Sequence, residues 1–477
     1  MAPVMRWAVI RSQPRGRTVV TAESPPIPRA AGSLPFLGHM IPLIRDNLGF
    51  IASLRRDYGP LVEITLQPGT RTVIVQDPDL IQVMLKDLGP HLDKGRFFEK
   101  MGQLLGDSVV TAAGRVHRDK RHQLQPAFAR DEIARYVDKM RDEVTAAVDS
   151  WTPGQAFDVR EAMVKLSLDM LAKTVLSDSL DDSAFRRVRE DLSVVMAGVG
   201  ARVMMPDWVE SLPLPANRRF NRARDAVRAT IEDAVDTLQA QRRASGDNGA
   251  DDMLSMLLRA NMTRHQICSE ILTLAVAGTE TTASVLSWTL YELTRHPGIE
   301  ARVLAELDHV LADRPVTFED VVRAKGEARL PYLHRVLDEV LRLHHTGLLV
   351  TRRTLTETRL GRWTLPAGTE LAYCQHALHR DPALFPDPLS FKPDRWLDTE
   401  QPPPSGAYLP FGHGKHKCIG DFYARAELIT AVATILRRRR FDLAPGRTVR
   451  PVGGATVRPG KMVMTVQARE TPAPART

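Results

Sequence analysis

One cysteine closes a loop built mostly of glycine and basic residues, Phe411-Gly412-His413-Gly414-Lys415-His416-Lys417-Cys418-Ile419-Gly420. A helix-like run, Phe422 to Leu436, follows at once. Glycines at 412, 414 and 420 permit close backbone approach and positive φ. Basic neighbours and a helix N-terminus both favour thiolate over thiol. A thiolate presented in this way suits a haem iron as its axial ligand. Two other readings compete. A cysteine is most often a small buried hydrophobe. His413 and His416 beside Cys418 could also begin a zinc site, but no second Cys/His cluster is spaced to complete four ligands. Haem thiolate fits the loop best.

A second chemical cluster interrupts a long apolar helix. Thr263 with Gln266 makes a capping box, and His296-Pro297-Gly298 stops the helix. The span from Thr263 to Arg295 is roughly 33 residues and about 50 Å, enough to cross a domain. Its middle runs from Leu274 through Ala277-Gly278-Thr279-Glu280-Thr281-Thr282, apolar and then abruptly polar. Glycine costs about 1 kcal/mol against alanine inside a helix. A carboxylate in such a run needs a partner or a task. On its own, a threonine there more often bonds back to the preceding turn.

These two stretches resemble the haem-binding signature and the oxygen-binding motif of the cytochrome P450 family. The resemblance implies that Cys418 ligates haem iron, with Phe411 and Gly412 in the cofactor loop and His416 at a propionate. It implies that Ala277 and Gly278 leave an oxygen-binding groove. Thr281 would donate a hydrogen bond and Glu280 would relay protons from solvent, which is positioned general-acid chemistry. Further motifs agree. Glu339 and Arg342 resemble the family's Glu-x-x-Arg pair, and Arg395 in Phe391-Lys392-Pro393-Asp394-Arg395-Trp396 would complete a structural network with them. His117 and Arg121 share one helix face at i,i+4 and match the family's propionate-binding element. Arg352 is the third anchor, with Arg353 as the alternative, because Gly361-Arg362 stands where many relatives have two glycines.

Composition sets the bounds for these elements. The chain has 477 residues, 43% hydrophobic and 26% charged, ordinary for a globular protein with a large core. Three cysteines, Cys268, Cys374 and Cys418, are too few for a disulfide framework and suit a reducing cytoplasm. Net charge is +8, with no aromatic-interleaved basic stripe for nucleic acid. Arg437 to Arg440 reads as a solvated helix end. No apolar run is long enough to span a membrane. Residues 1–24 read as a disordered tail, 25–470 as one domain and 471–477 as a second tail.

Local patterns fill in that domain. A helix around Phe50 to Asp57 is expected to end at Tyr58-Gly59-Pro60. A hairpin follows, from Leu61–Leu66 through the turn Pro68-Gly69 to Thr72–Val75. Helices are expected over Arg130–Trp151 and Ala162–Val175, a loop at Gly246–Gly249, and a β-rich patch over Val350–Tyr373 broken by Pro366-Ala367-Gly368. The fold class is mainly α with small sheets, and the resemblance implies the triangular P450 prism with haem between the long helix and the Cys-loop helix.

The function so implied is a haem-thiolate monooxygenase using haem b and O2 on a small hydrophobic molecule, with electrons from a ferredoxin and its reductase. A monomer is implied as well. Lys120, Lys415 and Lys417 are the residues expected to meet an acidic partner. The substrate pocket is expected from Pro90–Val110, Ala275 to Thr279, Leu348-Leu349-Val350 and Val452–Thr456. The stretch Ser211–Phe220 resembles terpene oxygenases, placing a terpene first and a polyketide, steroid, fatty acid or peptide next. A haem-binding sensor without turnover is the rival of another class, and it would not need Glu280 and Thr281.

Overall fold

The long helix is buried on nearly every side, and the rest of the chain is arranged around it. A computed structural model describes residues 24–66, 70–175, 187–188, 190–192, 194–195, 198, 202, 207–245, 253–260, 262–324, 327–397, 403–453 and 456–469. The Pro68-Gly69 turn, the Gly246–Gly249 loop and both expected tails lie almost wholly outside those residues. The long helix spans Arg264–Arg295, with the Thr263/Gln266 capping box present in both directions. Residues from Ile267 to Leu293 are buried around its circumference apart from Ala277, Gly278, Glu280 and Thr281, the pattern of a helix at the centre of a large core. It packs on Val159–Val175, Asp421–Arg438 and Pro215–Ser245. Its polar residues stay inside by bonding to their own helix. Thr273, Thr281, Ser284, Ser287, Thr289 and Thr294 each donate to the carbonyl four residues back, at 2.6–2.8 Å.

The sheets lie at the periphery. The largest has the order 61–65, 71–75, 370–373, 350–354, 92–93. The hairpin read from the sequence is there, with Leu61 opposite Val75 and Thr65 opposite Arg71. Helices Arg130–Ser150 and Val159–Val175 match expectation to within three residues.

Two local readings need correction. The helix expected from Phe50 begins at Met40 and runs to Tyr58. Pro42, Gly49 and a break at Asp46 (φ −155°, ψ 80°) hide its earlier turns from a periodicity count. The arginine run is no solvated helix end either. The helix stops at Arg438, and Arg439 and Arg440 open a strand paired with 463–468. Arg437 donates to the Arg314 carbonyl at 2.8 Å, and Arg438 pairs with Asp149 at 2.7 Å.

Candidate active site

The cysteine loop ends directly under the helix it was expected to precede, Asp421–Arg438. The Cys418 N–H donates to the Phe411 carbonyl at 2.8 Å, which closes the loop on itself. Gly412 (φ +71°) and Gly414 (φ +69°) take the left-handed conformation. At Gly414 a Cβ would stand 2.3 Å from the Leu85 carbonyl oxygen, so no side chain fits. Gly420 differs from expectation: φ is −91°, and it serves as the helix N-cap. Cys418 is accessible to solvent. Its surroundings nevertheless push the thiol pKa up by desolvation, against the Gly420 N–H and the charges of Arg121 and Lys417. The loop alone therefore does not generate a thiolate, as its basic residues suggested. Desolvation by the surrounding loop and the adjacent Asp421 outweigh them, and a bound metal would displace the proton.

Facing this loop is a set of cations with few counter-charges. His117 and Lys120 lie on the buried side of the Gly114–Leu124 helix. The His117 ring sits 4.3 Å from that of His416, with Nε2 and Nδ1 3.3 Å apart. Arg121 donates to the Lys417 carbonyl at 2.6 Å. Arg352 is buried and bonds only its neighbour's carbonyl, Thr351, at 2.7 Å among the described contacts. Arg353, the alternative, turns away to Asp93 (2.7 Å) and Glu99 (2.5 Å). Lys94 joins them, buried, donating to the Val109 and Val110 carbonyls at 2.8 and 2.6 Å.

These groups depress one another. Burial, then Arg352 and Lys94, pull His416 down to about 2. Burial, then Lys94 and Arg121, pull His117 to about 4. Burial, then Arg352, bring Lys94 to about 7, with Glu270 partly opposing. The Nε2 of His416 is buried with no hydrogen-bond partner. The cations Arg121, Arg352 and Lys94, with two neutral imidazoles and one unpartnered buried ring nitrogen, fit a ligand carrying two carboxylates. Lys94 escaped the sequence reading; it lies in the segment 90–110, taken there as apolar pocket wall.

On the long helix, Ala277 is exposed and Gly278, Glu280 and Thr281 are half-buried, while the residues on either side are buried. The helix thus opens one window at the expected motif. A Cβ at Gly278 would point at Leu171 of the neighbouring helix, 3.5 Å away. The Thr281 hydroxyl donates to the Ala277 carbonyl at 2.6 Å, which leaves its oxygen to accept a hydrogen bond. Glu280 lies 3.6 Å from Arg458 Nε. Arg458 in turn lines a surface depression of about 620 Å³ with Asp158, Glu161 and Lys461.

The bracing network closes as expected. Glu339 accepts from Arg342 Nε and Nη2, Arg395 Nε and the Lys392 N–H, all at 2.9 Å, and from Trp396 Nε1 at 3.1 Å. Arg342 and Glu339 are fully buried. Arg342 Nη1 also holds the His379 and Pro388 carbonyls at 2.6 and 2.8 Å. Two links carry this frame to the cysteine loop. Arg425 pairs with Asp338 at 2.9 Å and lies over the Phe411 ring. His345 accepts from the Gly347 N–H at 2.9 Å through Nδ1, which leaves Nε2 as the donor to the Pro410 carbonyl at 3.3 Å. Neither link was read from the sequence, although the doublet His344-His345 directly after a helix was a visible oddity.

The sequence matches the family described as Cytochrome P450 over residues 26–465. The chain belongs to that family. It is 40% identical over 450 residues to cyclooctat-9-en-7-ol 5-monooxygenase of Streptomyces melanosporofaciens, covering 92% of this chain and 95% of that one. Cyclooctatin synthase of the same organism is 36% identical over the same shares. Pentalenene oxygenase of Streptomyces avermitilis is 31% identical over 92% and 97% of the two chains. Among solved structures, the haem domain of cytochrome P450DA superposes with a TM-score of 0.80 at 25% identity, covering 94% and 98%. The chain is thus a P450 monooxygenase with haem iron as its cofactor.

Three expectations for this P450 change in the structure. Lys120 cannot greet a partner: it is buried, 3.4 Å from both Glu270 and Asp107. Lys415 and Lys417 stay exposed, but Lys415 donates to the Gly89 carbonyl and Lys417 pairs with Asp421. Leu348 packs in a core cluster with Leu43, Ile51, Cys374 and Val457. Ala275 and Thr279 are buried, and Leu349 and Val350 are half-buried. The tail hairpin does reach this turn, because the Val457 N–H donates to the Thr346 carbonyl at 2.7 Å and Thr456 bridges Gly347.

Proposed function

We propose that this P450 binds haem b and hydroxylates a cyclic terpene. The observation that carries it is the cluster of basic side chains His117, Arg121, Arg352, His416 and Lys94 beside the Cys418 loop. The skeletons named for the relatives, cyclooctatin and pentalenene, support the terpene. When bound, the haem supplies dioxygen activation and the transfer of one oxygen atom to substrate. Everything else is work for this chain's residues. Cys418 would hold the iron through Sγ as a thiolate, its proton released to solvent, with Phe411, Gly412 and the Glu339–Arg342–Arg395 frame keeping the loop in place. His117, Arg121, Arg352, His416 and Lys94 would hold the propionates.

Proton supply falls to Glu280 and Thr281. Glu280 faces the solvent-lined depression through Arg458 and takes protons from it. Thr281 orients a donor in the groove by accepting its hydrogen bond, while Ala277 leaves room beside it. Ala275, Thr279, Leu349 and Val350 contribute apolar wall to the substrate space.

Electrons arrive from a ferredoxin and its reductase, and residues 25–470 act as one monomeric domain in the cytoplasm. With Lys120 buried, the docking face is the outer side of the Gly114–Leu124 helix, where Arg115 and Arg118 are exposed beside Lys417. The test is optical. The reduced holoprotein with carbon monoxide should absorb near the position typical of a thiolate ligand. Cyclic di- and sesquiterpene alcohols and hydrocarbons should then shift the ferric protein from low to high spin. A shift with steroids or fatty acids but with no terpene refutes the substrate class.

A further inference from the structure

Large apolar side chains are exposed singly on most proteins and need no explanation. Here five gather within eleven residues: Leu34, Phe36, Leu37, Ile41 and Ile44. Phe36 is 87% exposed and Ile44 72%. They sit on a convex support. Leu34 and Gly38 exchange backbone hydrogen bonds at 2.9 and 2.8 Å, which closes a tight turn with Phe36 at its tip. The backbone of Phe36 is held at φ +61°, a conformation that bulky residues resist. Buried His39 pins the base of the turn through the Ala30 and Ala31 carbonyls, both at 3.2 Å. The Met40–Tyr58 helix continues the ridge with Ile41 and Ile44 outward and Leu43 and Ile51 inward.

That inward face touches the substrate side. Leu43 and Ile51 pack with Leu348 and Val457. Asn47 lies so close to Gly453 that a Cβ there would stand 2.4 Å from its side chain. Val452, next in the hairpin, is itself exposed. Arg45 and Arg450 are exposed at the rim. The neighbouring carboxylate, Asp46, is exposed as well and accepts from the Gly49 N–H at 2.9 Å.

We propose that this ridge docks on the surface of an anionic lipid bilayer, with Phe36 and Ile44 among the acyl chains and Arg45 and Arg450 at the phosphates. A convex apolar tip flanked by guanidinium groups suits a deformable interface better than the flat, closely fitted face a second copy would require. No helix among the described residues is long and apolar enough to cross a membrane, so the contact is peripheral. Its role in collecting a lipid-dissolved substrate rests on the terpene reading; the docking itself does not.

The experiment uses the full-length holoprotein and vesicles of equimolar phosphatidylcholine and phosphatidylglycerol, with sedimentation as readout. The wild type should co-sediment, and F36S/I44S should lose roughly a hundredfold in partitioning, the transfer value of two large apolar side chains. The variant should keep its carbon monoxide spectrum and its substrate-induced spin shift. I44K alone provides a milder second test and should also weaken sedimentation. Failure of the wild type to sediment, or equal binding by both variants, overturns the proposal. So does binding that appears only after residues 1–23 are removed, which would make that segment the occupant. A concentration-dependent dimer abolished by F36S/I44S in the absence of vesicles would likewise assign the ridge to a second copy.

Discussion

Glu339→Gln should be the most damaging single-atom change available outside the cysteine itself. The carboxylate is fully buried and accepts five hydrogen bonds, three of them from two guanidinium groups. Replacing one oxygen by an amide NH2 sets a donor against donors and leaves Arg342 and Arg395 without their counter-charge. Removing one partner of a buried pair costs about 3–5 kcal/mol. Against a typical total of about 5–15 kcal/mol, that is about a fifth or more of the fold's stability. The arginines also hold the carbonyls of His379, Pro386 and Pro388, so the damage should spread to the segment 379–397. The assay is urea unfolding of the holoprotein, followed in parallel by the haem absorption band and far-ultraviolet circular dichroism. The haem signal should be lost first, since the frame supports the Phe411–Gly420 loop through Asp338, Arg425 and Tyr408. A variant within about 1 kcal/mol of the wild type, with coincident transitions, refutes the reasoning.

The remaining predictions concern chemistry and charge. Cys418→Ser should abolish the thiolate-type carbon monoxide spectrum and product formation together, as read by difference spectroscopy and product analysis. Thr281→Ala and Glu280→Gln should each lower product formed per electron consumed by roughly tenfold or more, with peroxide appearing instead; unchanged coupling would remove both from proton supply. Arg115→Glu with Arg118→Glu should slow reduction by ferredoxin mainly at low salt, whereas Lys120→Glu should instead destabilise the protein, by stripping Glu270 of its cation. In stopped-flow work, equal effects of the two changes would refute this division. Burial holds His345 down at about 4, so the unfolded chain takes up a proton that the native state refuses. Stability should therefore be full above pH 6.5 and fall as pH drops towards 4, by about 3 kcal/mol for this group. His344, His376 and His379 shift the same way. Urea midpoints at pH 7.5 and 5 test this, and a flat profile contradicts it.

What the sequence made legible depended on how local each feature was. The Thr263/Gln266 box, the Pro297 stop and the glycines at 412 and 414 act within a few residues, and all appear where expected. Glu339, Arg342 and Arg395 were readable because two lie at i,i+3 and the third follows a recognisable Phe-Lys-Pro segment. Burial defeated the reading elsewhere. Nothing beside Lys120 announces that Glu270, far along the chain, will draw it inward, or that Lys94 will turn towards Arg352. At Thr281 the sequence does not say which way the proton points, which is decided by the Ala277 carbonyl. The helix at Met40 was missed because a proline and a glycine interrupt the periodicity that tertiary packing then enforces.

The neutral ring of His345 grips two parts of the molecule with opposite duties. One nitrogen belongs to the corner that precedes Leu348, and the other to the strap that carries the sulfur. A guest that shoulders that corner aside must drag the strap or break a bond in a dry place. Occupancy on one side is thus mechanically audible on the other, without any moving domain.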